Sequence, residues 1–93
     1  MEKTFYVVYN ENMDKFMSIY EDGEGNEYYS LVSFDELYQG GLFPSKELAE
    51  FKLKEAINIA GFGRFMPSGM REFCMDADVL EVNIRLNRKE LLS

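Results

Sequence analysis

Residues 20–30 read YEDGEGNEYYS: four carboxylates, two glycines and three tyrosines, with no basic residue among them. Such a stretch suits three kinds of chemistry. It could hold a cation through oxygen ligands, cradle a phosphate on glycines, or present carboxylates to a basic partner. Asp22, Glu24 and Asn26 alternate like the start of an EF-hand calcium loop. Glu27 then stands where that loop needs its glycine, and Ser33 where it needs a bidentate glutamate, so the calcium loop is excluded. Gly23-x-Gly25 lacks the third glycine of a dinucleotide fingerprint, and the surrounding carboxylates would repel a pyrophosphate. The third chemistry remains. Glu21, Asp22, Glu24 and Glu27, with Asp35 and Glu36 further on, make six acids without a base across residues 21–36. Carboxylates spaced along a hairpin imitate a row of phosphates and compete for Lys/Arg grooves that bind nucleic acid. Tyr20, Tyr28 and Tyr29 add rigid amphipathic contact surface of the kind found at interfaces. The plainer reading of the same residues is a solvated turn between two strands.

Other candidates carry less. Asp76, Asp78 and Glu81 resemble the paired carboxylates of metal-dependent nucleases, but no lysine follows at a useful spacing and the next bases are Arg85 and Arg88. They read as a charged strand entry. Arg64, Arg71, Arg85, Arg88 and Lys89 could gather around Phe62 and Phe65 as a basic edge for phosphate or RNA. A net charge of −7 speaks against direct nucleic-acid binding. The chain has no histidine, which removes Ser/His and Cys/His nucleophile pairs and the commonest zinc ligand. No enzyme motif and no cofactor motif remains, so neither catalysis nor a cofactor is expected. Cys74 is the single cysteine, so no intrachain disulfide forms; between Phe73 and Met75 it reads as a small buried hydrophobe.

The elements that must position these residues follow from periodicity. TFYVVY (4–9) is β-branched and aromatic, with Phe5, Val7 and Tyr9 on one face and Tyr6 and Val8 on the other. That suits a central strand covered on both sides. NENMD (10–14) is a turn, KFMSIYE (15–21) a second strand and YYSLVSF (28–34) a third, so residues 20–30 bridge a hairpin. Gly23, Gly25 and Asn26 tolerate positive φ, and Asp22 suits the start of a turn. DELYQGG (35–41) suggests a short helical turn ending at the glycine pair.

Residues 45–60 read as a helix, capped by Ser45, with Glu47 in its first turn and Gly61 as its stop. Ala49, Leu53, Ala56, Ile57 and Ala60 form its core stripe. Leu48, Phe51 and Ile59 make a second apolar ridge, which either packs under the C-terminal segment or serves a partner or a homodimer. GFGRFMPSGMREF (61–73) reads as a loop, and DADVLEVNIRLN (76–87) as a last strand alternating Leu80, Val82, Ile84 and Leu86 with Glu81, Asn83 and Arg85. The order β-β-β-α-β over a single domain, residues 1–93, predicts a two-layer α+β fold. Its antiparallel sheet has three to four strands, with one helix on a face and the last strand beside the first.

Charge is unevenly spread. Residues 1–50 hold eleven acids and three bases, a net of −8, and residues 51–93 hold six acids and seven bases, a net of +1. The acidic half attracts basic partners. No apolar run approaches a membrane span or a signal peptide, so a soluble, cytoplasmic protein without membrane contact is expected.

FYVVYN near the N-terminus, a polar hairpin, FPSKELAEFKLKEA and a closing VLEVNIRL together resemble the layout of small accessory proteins of unknown function encoded by bacteriophages. The resemblance implies a context, a bacterial host cell, and a mode of action. Such proteins often bind and disable a host enzyme, anti-CRISPR and other anti-defence inhibitors among them. The expected function is therefore an acidic, non-enzymatic inhibitor or regulator of a basic, nucleic-acid-handling host protein. An assembly adaptor or homodimer built on Leu48, Phe51 and Ile59 is the alternative.

Overall fold

A computed structural model describes residues 2–59 and 66–85. Strands β1 (Glu2–Asn10), β2 (Lys15–Glu21) and β3 (Glu27–Val32) precede helix α1 (Lys46–Ile59), a short helix α2 (Met70–Met75) and strand β4 (Ala77–Arg85). The sheet is antiparallel, four-stranded and ordered β3-β2-β1-β4. The fold is the expected α+β layout, with β1 central and the last strand beside the first.

One face of the sheet carries α1. Val8 of β1, Met17 of β2, Tyr29 of β3, Phe43, Ala49 and Ala56 of α1, and Met70 and Phe73 of α2 form the core cluster. Ala49 and Ala56 are fully buried, and their small side chains let α1 lie close to the strands. Ser45 Oγ accepts the Leu48 N–H at 3.1 Å, which caps the helix as its sequence predicts.

The sheet is split. β1 and β2 pair only at Tyr9↔Phe16 and Asn10↔Lys15, beside their turn. Further along, residues 40–43 run between them. Tyr6 and Phe43 exchange both backbone hydrogen bonds at 2.8 Å. On the other side, Gly40 and Gly41 lie against the carbonyl oxygens of Ile19 and Met17. At Gly40 this is a backbone-to-backbone contact that a side chain would block, and at Gly41 a side chain would first meet that of Leu37. Residues 34–41 supply two 3-10 turns, Phe34–Glu36 and Gln39–Gly41, the second ending at the glycine pair as expected.

The loop expected over residues 61–73 is corrected for its end: Met70–Met75 is helical, with Met70 and Phe73 buried. Pro67, Gly69 and a length of only six residues conceal it, because its stability comes from tertiary burial and not from propensity. Asn10, 1% exposed, ties this helix to the β1–β2 turn. Its Nδ2 donates to the Phe73 carbonyl and its Oδ1 accepts from the Met13 N–H, each at 2.9 Å. Ala60, Gly61, Phe62, Arg64, Phe65, Leu86, Arg88 and Lys89 lie outside the described residues.

Candidate partner-binding hairpin

Register decides what each residue of the β2–β3 hairpin can reach. Phe16↔Val32, Ser18↔Ser30 and Tyr20↔Tyr28 share the outer face, while Met17↔Leu31, Ile19↔Tyr29 and Glu21↔Glu27 share the face of α1. The Tyr20 and Tyr28 rings stack at 5.0 Å between centroids and 15° between planes. Tyr20 stays 58% exposed. Tyr29 instead enters the core at 6% exposure, and burial, with Glu55 and Glu27 nearby, pushes its hydroxyl pKa up to about 12. Among the described residues that hydroxyl has no partner at good hydrogen-bond geometry, although the Glu55 carboxylate lies close enough to raise its pKa. Tyr29 is therefore a core residue and presents nothing to a partner.

Asp22 organises the tip. One carboxylate oxygen accepts the backbone N–H of Glu24 at 2.8 Å and of Asn26 at 3.0 Å. The other accepts Asn26 Nδ2 at 3.1 Å and the Tyr28 hydroxyl at 3.0 Å. The Asn26 side chain above all, then the two backbone donors, hold its pKa below the ordinary carboxylate value. Gly25 closes the turn at a φ of 85°. Glu27 is also committed, since its carboxylate takes both hydrogen bonds of Lys52 Nζ at 2.9 and 3.2 Å. That ion pair relieves the like-charge pairing with Glu21 directly across the strands.

Of the four hairpin acids, Glu21 and Glu24 are left exposed and unbridged among the described residues. Asp35 and Glu36 do not join them. They follow Val32, which pairs with Phe16 at the opposite end of the hairpin. The six residues of β3 set the two groups about 20 Å apart. Glu36 caps its own turn, accepting the Ser33 hydroxyl at 3.0 Å, and Ser33 holds its pKa low. Asp35 is exposed. The run of six acids is thus two groups, one at each end of the hairpin.

The second candidate surface also divides. Leu48 is half-buried against the core, whereas Phe51 is 55% and Ile59 41% exposed. Cys74 packs against the core, and burial raises its thiol pKa away from reactivity. Asp76 accepts Asn12 Nδ2 at 3.2 Å. Among the described residues, no group of three His, Cys, Asp or Glu side chains could hold a metal ion. Among the same residues, no helix is long and apolar enough to cross a membrane. Comparisons with protein families, with curated proteins and with solved structures found no match.

Proposed function

We propose that this chain is a non-enzymatic binding protein that inhibits a nucleic-acid-handling protein by occupying its basic groove with the tip of the β2–β3 hairpin. The observation that carries this reading is the division of labour at the tip. Asp22 is consumed in holding the turn, and Glu21 and Glu24 are left in solvent beside an exposed, stacked tyrosine. A tip tied by four side-chain bonds loses little freedom on docking, which lowers the entropic cost of binding. Glu21 and Glu24 supply the charge, Tyr20 the contact area, and Asp22 and Tyr28 the shape. The resemblance to phage-encoded accessory proteins supports a target in host defence, of which a CRISPR effector is one kind. The protein would act in the bacterial cytoplasm, without a cofactor.

The test is capture of basic proteins from bacterial lysate on immobilised chain, with and without added nucleic acid, at low and high salt. Capture should fall with salt and with nucleic-acid competitor, and the Glu21→Lys/Glu24→Lys variant should lose it. Capture that survives both that double reversal and the competitor overturns the proposal.

A further inference from the structure

Among the described residues β4 is an edge strand, and apart from the charges of Asp78, Glu81 and Arg85 it has few of the devices that keep a sheet edge from pairing. It runs nine residues, Ala77–Arg85, and contains no proline, glycine or lysine. It has no bulge either, for its nine pairings with β1 run unbroken from Glu2↔Arg85 to Asn10↔Ala77. Such a strand is a template for another strand. Its apolar stripe lies away from α1. Val79 packs on the core with Val8, which places Val79, Glu81, Asn83 and Arg85 on the α1 face. Leu80, Val82 and Ile84 therefore lie on the outer face, where Leu80 is 44% exposed.

We propose that β4 pairs antiparallel with β4 of a second copy of this chain, about a two-fold axis through Asn83, joining the two sheets into one of eight strands. Residue types select both the partner and the register. With the axis at Asn83, Glu81 of each copy lies opposite Arg85 of the other, and Val82 lies opposite Ile84. Two opposite-charge pairs and two β-branched pairs then form by symmetry. With the axis at Glu81, the two Glu81 carboxylates would face each other. With the axis at Val82, Glu81 would meet Asn83, and Arg85 would meet Val79. Registers centred between two residues would set the outer stripe of one copy across from the polar side of the other.

Charge favours this edge over the opposite one. β3 carries Glu27, no base, and the acidic tip beside it. β4 carries both signs, Asp78, Glu81 and Arg85, so two copies can form opposite-charge pairs there and not along β3. The dimer would set its two hairpin tips at the far ends of the joined sheet, more than about 34 Å apart, since residues 40–43 widen each half beyond its share of seven strand spacings.

Light scattering after size exclusion tests this at tens of micromolar protein, with circular dichroism verifying the fold of each variant. The wild-type chain should run at twice the monomer mass. Glu81→Arg alone and Arg85→Glu alone should each run as monomer, and the combined Glu81→Arg/Arg85→Glu chain should regain the dimer mass. Phe51→Asp should leave the dimer intact. A wild-type mass that stays monomeric overturns the proposal. So does a dimer indifferent to both single reversals, a double variant that stays monomeric, or a dimer dissolved by Phe51→Asp. None of these outcomes touches the hairpin proposal, which needs one copy.

Discussion

At the scale of single residues, the hairpin acids differ in what they do although they are alike in type. Asp22 is structural, Glu27 is paired, and Glu21 and Glu24 are unbridged among the described residues, in each case because of their neighbours. Only part of this could be read in the sequence. Asp22 before Gly23 and Gly25 announces a turn, because an aspartate that bonds backbone two residues on is a local signal. Glu27 gives no such signal, since its partner Lys52 is twenty-five residues away and meets it only through the packing of α1 on the sheet. Tyr29 was equally hidden: one tyrosine of three goes inward, and only the register says which. The lowered pKa of Asp22 makes a prediction about pH. A carboxyl held below its ordinary value stabilises the fold in full above the unfolded carboxylate range and loses that contribution as pH falls through the lowered value. Urea denaturation should therefore find Asp22→Asn less stable than wild type at neutral pH, with the gap closing in strong acid. A gap that keeps its size at both would mean that the Asp22 charge is not what holds the turn.

At the scale of elements, what the chain makes visible is what depends on period and caps. β1 and β4 show as strands, and α1 shows through Ser45 and its alanines. Two features stayed hidden because they depend on contacts distant in sequence. α2 is less than two turns long and owes its existence to burying Met70 and Phe73. The Gly40–Phe43 segment enters the sheet between β1 and β2, a placement that no local pattern encodes. That segment can be tested by what glycine leaves out. A Cβ at Gly40 would collide with the backbone carbonyl oxygen of Ile19, which cannot rotate away as a side chain can. At Gly23 a Cβ would meet nothing within 4 Å. Gly40→Ala should therefore cost about 1–3 kcal/mol, the range of overpacking a filled site. Gly23→Ala should change stability by less than about 0.5 kcal/mol, as a free surface position does. Equal effects in denaturant titration would show that residues 40–43 do not hold β1 and β2 apart.

At the scale of the whole molecule, the question is whether a partner senses the net charge or one end of the sheet. The acidic half is not one field in space. Glu21 and Glu24 stand at the hairpin tip, while Asp35 lies beyond the other end of β3 and Glu11 in the β1–β2 turn beside it. About 20 Å separates the two ends, roughly twice the Debye length near physiological salt. A charge change at one end is therefore largely screened from the other. Two variants separate the readings while holding net charge equal. Glu21→Lys/Glu24→Lys and Glu11→Lys/Asp35→Lys each replace two acids with two bases, so each moves the chain from −7 to −3, a change of +4. All four residues are exposed, so neither variant should disturb the fold. If the tip docks, only the first pair weakens capture of the basic partner, and the loss shrinks as salt rises. If the partner responds to overall charge, both pairs weaken capture alike. Equal losses would remove the hairpin as the contact and leave a general acidic surface, and a loss confined to Glu11 and Asp35 would move the contact to the opposite end of the sheet.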